Sequence, residues 1–496
     1  MTGAPAVLAV DAGTSGVRAA VVTAAGEVAA SAYRQALPTS PMPNFVEFDP
    51  VAMGDAALEV AGRALADWGG PVAAVGITNQ RASTILWERS SGRPVGPGVG
   101  WQDLRTVGMC LALQAQGLRL APSASATKLV FLLDLADSSR ARAEAGELCF
   151  GTVDTWLAWV LSGGAAHATD PSNAAVTGLL LPDASGWDEA VLAALRIPAA
   201  VLPEIVDSAG VFGSARALAV AGAPPLGGLA GDQQASLLGQ GCVSPGAAKL
   251  TLGTGGMLDV CTGATRPPWP GKGPAGTIPI VAWRRGGVLT WGAEAIAITA
   301  GTAVEWLRDG LGLLSSAAES EALAASVPDT GGVVFVPAFL GTGTPRWDYG
   351  ARGGFFGLTR GTGRAEMVRA VLEGVAQRGA DLLEAAEADT GLSAGRLRVD
   401  GGMSANAVVL QALADATGRP VEAAPVTEAT TLGAAYLAGL AVGLWPDEAA
   451  VAASYRPRRV VEPALSEDSR RAARARFAAA VARCGEWVPE LSAIEF

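Results

Sequence analysis

Leu229-Ala230-Gly231-Asp232-Gln233-Gln234-Ala235, near the middle of a 496-residue chain, sets one carboxylate in a glycine-flanked turn. An Asp followed by two amides and bracketed by Gly231 and Gly239 suits a catalytic seam, because a carboxylate placed in an apolar core needs partners. An ordinary Gly-Asp surface turn is the alternative. The neighbourhood favours the seam. Val10-Asp11-Ala12-Gly13-Thr14-Ser15 stands at one end of the chain, and Leu252-Gly253-Thr254-Gly255-Gly256 follows shortly after the acid. Val7–Val10 and Arg18–Thr23 read as strands around the first of these turns, and Lys249–Leu252 and Met257–Val260 as strands around the second. The chain therefore carries a weak internal repeat of strand, Gly/Thr turn, strand. Consecutive backbone N–H groups at such a tip form an anion nest, Thr14 and Ser15 add hydroxyls, and Asp11 is placed to hold a hydrated Mg²⁺ beside a phosphate.

Composition narrows the function. The length exceeds one ordinary core, so two large domains are expected, divided as 1–240 and 241–496. Half the residues are apolar and 17% charged, a globular composition. A net charge of −11 argues against a nucleic-acid or anionic-membrane surface. Cys110, Cys149, Cys242, Cys261 and Cys484 are scattered without a C-x-x-C, which fits reduced thiols, and no signal peptide precedes Asp11; a cytoplasmic protein is expected. Neither G-x-x-x-x-G-K-[ST] nor G-x-G-x-x-G occurs, so no P-loop or Rossmann fingerprint explains the glycines. The single histidine, His167, reads as structural, which leaves acid-base work to carboxylates. Ala429–Trp445 is uncharged but short for a membrane span, and reads as a buried helix packed closely through Gly439 and Gly443. Gln240–Val243 is where a hinge would be useful.

Gly76–Thr84 is a β-run ending in Asn79-Gln80-Arg81, and Gly100-Trp101-Gln102 follows a Gly/Pro loop. The guanidinium fork of Arg81 and the flat ring of Trp101 suit a small polyhydroxylated ligand; a surface Arg and a core Trp are the plainer alternative.

These stretches, with Gly151-Thr152-Val153-Asp154-Thr155-Trp156, Val336-Pro337-Ala338-Phe339, Phe356-Gly357-Leu358-Thr359-Arg360-Gly361, Val399-Asp400-Gly401-Gly402 and Thr431–Ala441, occur together and in order. The set resembles the FGGY carbohydrate kinases, and within them the glycerol-kinase branch, from the first strand to about residue 460. The resemblance implies an α/β fold of two actin-like (ribonuclease H-like) domains with mixed sheets around a cleft that binds ATP and Mg²⁺. It implies Asp232 as general base and Arg81, Trp101, Asp232 and Gln233 as substrate residues. Thr14, Ser15 and Arg18 would face the transferred phosphoryl from one side and Gly253 and Thr254 from the other. Gly301, Glu305, Gly401, Gly402 and Asn406 would line the nucleotide pocket, and Asp11 with Asp232 would serve Mg²⁺.

Three positions depart from that branch. Ala82 stands where it carries Glu, Ala121-Pro122-Ser123 where it carries an Asp-Pro-Tyr loop, and Met257 where an aromatic follows the second turn. The catalytic end is kept and the recognition end is smaller, which predicts a small polyol or ketose of four or five carbons in preference to glycerol. Lys128 falls on the family's signature loop, with Phe131 in place of its Trp, and is given no catalytic role. The resemblance is compatible with a homodimer, and implies neither nucleic acid nor membrane as partner. Two other classes stay open: a catalytically silent actin-like sugar sensor, and a glycoside hydrolase, which would leave the Gly/Thr turns unexplained.

Overall fold

The computed structural model describes residues 5–135, 139–426 and 429–493. Both expected hairpins form. Ala6–Ala12 (β1), apolar but for Asp11, pairs antiparallel with Gly16–Thr23 (β2), and β2 pairs with Val28–Gln35 (β3). On its other side β1 runs parallel to Val75–Asn79 (β4), which lies parallel to the last strand of this half. That half ends with the hairpin of Ala209–Ser214 (β5) and Pro225–Gly231 (β6). Pro50–Trp68 (α1) covers one face of this sheet, started by Asp49, whose carboxylate accepts from the N–H groups of Val51 and Ala52, and stopped by Gly69 in the left-handed region. Met53, Ala56, Ala57, Val60 and Ala64 form its buried stripe.

The second half repeats the plan. Ala248–Leu252 (β7) and Gly256–Gly263 (β8) form the second Gly/Thr hairpin, extended antiparallel by Val288–Ala297 (β10) and Ile278–Arg285 (β9). Leu397–Asp400 (β11) and Val421–Ala423 (β12) add parallel to β7, and Arg459–Val461 (β13) closes the edge. The strand order β3-β2-β1-β4-β6 is thus repeated by β10-β8-β7-β11-β12, three antiparallel strands and then parallel ones, with β9 added antiparallel beside β10. The two sheets touch edge to edge through one residue pair, Ala209 with Arg285, giving a continuous thirteen-stranded ribbon.

Helices cover the second sheet and, through two of them, link the halves. Asp232–Gly239 (α2) leaves β6, Gly301–Glu305 (α3) follows β10, and Arg364–Thr390 (α4) and Ala407–Thr417 (α5) pack together over the second sheet. Ala429–Ala441 (α6) is buried along nearly its whole length. It lies across β1, β4 and β6 of the first half and against α2, although it comes from the second. The close approach expected of this helix is real, but its residues differ from those expected. A Cβ on Gly433 would strike the Ala235 carbonyl, and one on Gly239 the Ala429 carbonyl. Gly439 instead packs on the Trp445 ring, and Gly443 lies past the helix end at a φ of +76°. Among the described residues no helix is long and apolar enough to cross a membrane.

Candidate active site

Parallel pairing sets the site. Asp11 lies opposite Thr78, and Asn79 opposite Gly231, so β1, β4 and β6 deliver Asp11, the Gln80-Arg81 pair and Asp232 at one edge. In the second half Thr251 lies opposite Asp400, so Gly253-Thr254 and Gly401-Gly402 leave β7 and β11 side by side. Ligands of parallel sheets bind at such carboxyl ends.

Buried polar residues fix these strand ends. Asp170 caps the short helix Pro171–Ala175 by accepting from the backbone N–H groups of Ser172 and Asn173. Asn173 passes the restraint on, accepting from Asn79 Nδ2 at 3.0 Å, and the Ser172 hydroxyl accepts from the Gly231 N–H at 3.0 Å. Burial pushes the Asp170 carboxyl up, against its hydrogen bonds from Ser208, Ser172 and Asn173.

Asp232 opens α2 with its side chain 32% exposed, which leaves the carboxylate within reach of a substrate. Its Oδ1 accepts from the Gln233 N–H at 2.8 Å and stands 3.3 Å from Arg81 Nε. Burial raises its carboxyl above the usual range, opposed by the charge of Arg81. Arg81 makes a shorter pair, Nη2 to Glu294 Oε2 at 2.8 Å. Although burial pulls against it, the charges of Glu294 and Asp232 hold the Arg81 guanidinium more firmly protonated than usual. Gln233 Oε1 accepts from Lys249 Nζ at 2.5 Å, and Lys249 also pairs with Asp259 at 2.7 Å, both side chains fully buried.

The Trp101 indole N–H donates to Thr14 Oγ1 at 3.3 Å, and Thr14 donates to Gln80 Oε1 at 3.3 Å, so the first turn and a predicted substrate residue meet directly. Ser83 Oγ accepts from the Trp101 N–H, while Lys128 Nζ donates to the carbonyls of Trp101 at 3.1 Å and Ser123 at 2.8 Å. Lys128 is fully buried, and burial lowers its ammonium to about 7.

Ser15 is exposed at the tip, its carbonyl accepting from the Tyr33 hydroxyl at 3.1 Å. Arg18 lies opposite Asp11 on β2, its guanidinium 5.4 Å from the Tyr33 ring centre. The Asp11 carboxylate accepts from the Thr431 hydroxyl of α6 at 3.3 Å.

Across the ribbon a cavity of about 810 Å³ is lined by Gly253, Thr254, Gly301, Glu305, Gly402 and Asn406, all expected at a nucleotide. The Gly301 N–H donates to the Gly253 carbonyl at 2.8 Å, and a Cβ at 301 would stand 2.6 Å from that oxygen, so only glycine starts α3 here. Asn406 caps α5 through Val408 and Val409. Gly401 is the exception, set beneath the Leu252 carbonyl at a φ of +82° and shaping the turn from below.

His167 is structural as expected, its Nε2 2.8 Å from the Phe150 carbonyl and its ring edge-on to Trp87 and Trp159. All five cysteines are free and buried. Sequence reasoning missed Glu294, Lys249, Asp259, Ser172 and Asn173. Asp259 and Glu294 had a signal, since each carboxylate interrupts an apolar strand.

The N-terminal domain of the FGGY family of carbohydrate kinases matches residues 6–239, and its C-terminal domain residues 248–442. The chain belongs to the FGGY family of carbohydrate kinases. A glycerol kinase of Aromatoleum aromaticum is 46% identical to this FGGY kinase over 494 residues, 97% of this chain and 99% of its own. One from Dechloromonas aromatica is 47% identical, covering 97% and 98%. The crystal structure of Plasmodium falciparum glycerol kinase with ADP superposes with a TM-score of 0.89 at 27% identity over 99% of each chain. As an FGGY kinase the protein uses ATP to phosphorylate a hydroxyl of glycerol, a sugar or another polyol.

Proposed function

We propose that this FGGY kinase transfers a phosphoryl group to a terminal hydroxyl of a four- or five-carbon polyol or ketose, with Asp232 as general base. The observation that carries the reading is the meeting of Arg81, Asp232, Gln233 and the Trp101–Thr14 contact at the carboxyl ends of β4 and β6. Phosphoryl transfer requires positioning and charge neutralisation, with one carboxylate to accept the hydroxyl proton. Thr14 and Ser15 on one side and Gly253 and Thr254 on the other supply donors for the phosphates. The cavity below α3 takes the nucleotide, with Glu305 and Asn406 at its wall.

Asp11 fits Mg²⁺. Its carboxylate is a hard oxygen ligand at a strand end, oriented by Thr431, and Mg²⁺ commonly binds through one or two carboxylates together with substrate phosphates and water. When bound it would neutralise phosphate charge, with Asp232, which follows β6, as the second carboxylate of the reading. The free, buried thiols support a reducing compartment, the cytoplasm.

The preference for a larger substrate rests on Ala82 and Ser123. Ala82 is buried at a φ of +62°, its carbonyl accepting from the hydroxyls of Ser125 and Thr84, and Ser123 is exposed. Neither brings a carboxylate or phenol to the acceptor. Glycerol is the second reading, favoured by the relatives at 46% and 47% identity and by Glu294, which supplies a carboxylate beside Arg81 from the other half. The catalytically silent reading finds no support, since the base and both turns are retained.

An ADP-release assay over glycerol, erythritol, ribulose, xylulose and hexitols decides the acceptor. If glycerol gives the highest kcat/KM, the larger-substrate reading falls. Asp232→Asn should lower phosphotransfer by about 10²–10⁴ while ATP still binds. Wild-type turnover in that variant would remove Asp232 from the role of base.

A further inference from the structure

Three neighbouring strands of the second half carry charged residues in register. Lys249 on β7 lies opposite Asp259 on β8, and Asp259 lies opposite Glu294 on β10. Two carboxylates facing each other across a ladder repel, so each needs a cation. Lys249 takes Asp259 at 2.7 Å. Glu294, only 5% exposed, takes Arg81 at 2.8 Å, and Arg81 comes from the first half. The row reads plus, minus, minus, plus, and its last member is delivered across the seam. Burial raises the Asp259 carboxyl, with Lys249 opposing, as expected of a row short of water.

Each end of the row holds a residue flanking Asp232. Lys249 anchors Gln233 Oε1, leaving the Gln233 amide N–H groups to donate elsewhere. Glu294 draws Arg81 Nη2 at 2.8 Å, and the Arg81–Asp232 contact is longer, 3.3 Å from Nε to Oδ1. A guanidinium without that competitor would close on Asp232 as a two-pronged pair, the preferred geometry of arginine with a carboxylate. Both oxygens of the base would then face donors of the protein rather than an acceptor hydroxyl.

We propose that Glu294 is a positioning residue of this kinase: it holds the Arg81 guanidinium away from Asp232 and toward the phosphoryl acceptor, and so completes the acceptor site only when the two halves meet. The inference rests on the reading of Asp232 as base and Arg81 as an acceptor ligand.

Glu294→Gln keeps the shape and an acceptor oxygen but removes the charge. In steady-state assays with glycerol, erythritol and xylulose it should lower kcat/KM for the acceptor by about tenfold or more and leave the KM for ATP within about twofold, a split that loss of folded protein would not produce. Glu294→Asp, which keeps the charge one methylene farther back, should fall between wild type and Glu294→Gln. In an Arg81→Gln background, adding Glu294→Gln should change kcat/KM by less than about twofold, because its effect runs through Arg81. Wild-type kinetics in Glu294→Gln, or the same factor in both backgrounds, overturns the proposal. Asp232→Asn separates it from the reading beneath: if that variant is inactive while Glu294→Gln is unaffected, only the role of Glu294 falls, and if Asp232→Asn turns over normally, the base assignment falls first.

Discussion

The sole histidine offers a titration that no other side chain can imitate. His167 holds its Nε2 2.8 Å from the Phe150 carbonyl and lies edge-on to Trp87 and Trp159, and burial drives its imidazolium down to about 4. The unfolded chain takes up the proton near pH 6.5, whereas the folded chain refuses it until about pH 4. This stability is fully present above pH 6.5, drains away as pH falls toward 4, and changes no further below that. At pH 5, one and a half units below the unfolded value, the loss relative to pH 8 is about 2 kcal/mol, an upper bound because the ring is partly exposed. The ring Cε1–H resonance should titrate near pH 4, and thermal unfolding at pH 8 and pH 5 should show a larger drop for wild type than for His167→Gln. A ring titrating near 6.5, or the same pH dependence in both proteins, would refute the burial argument.

The two phosphate turns should act as a unit. Thr14→Val and Thr254→Val should each weaken MgATP turnover, with combined losses smaller than their sum, and strictly additive losses would tell against a shared phosphoryl group. Ala82→Glu with Ser123→Tyr and Met257→Phe should raise kcat/KM for glycerol and lower it for a four- or five-carbon acceptor, and steady-state kinetics showing no exchange of preference would reject the pocket argument. Gly433→Ala should lower thermal stability by several degrees or prevent folding, because its Cβ would meet the Ala235 backbone carbonyl; a melting temperature equal to wild type would mean that α2 and α6 have room to part.

What the chain discloses without coordinates follows the range of the physics involved. Gly13–Ser15 and Gly253–Gly255 are legible because a tight turn between two apolar runs is a local event, written in adjacent residues. Asp232 is legible because a carboxylate between glycines is out of place in a core. Lys249, Asp259 and Glu294 are not, because their meaning lies in strand register. Residues far apart in sequence become neighbours only once β7, β8 and β10 pair, and a charge in an apolar strand shows only that some partner exists. Asn173 was hidden for the same reason, since its link to Asn79 spans 94 residues. The contact of α6 was misassigned for a different one: a small-residue spacing marks where helices can approach, but the choice of Gly433 over Gly439 depends on where Gly239 lies.

The crossing of α6 onto the first sheet has a consequence for how the protein is made. On the ribosome, residues 1–240 emerge with β1, β4 and β6 formed or forming, yet the helix that covers one of their faces lies at Ala429–Ala441. At translation rates of about 5–20 residues per second, the intervening stretch of roughly 200 residues takes on the order of 10–40 s to appear. For that interval the glycine-lined face around Gly76 and Gly228, which in the finished protein lies against the Ala434 carbonyl, stays open to water. The nascent first half should therefore bind a holdase chaperone or associate with its own kind until residue 441 has cleared the exit tunnel, and its protease resistance should arrive late and in one step.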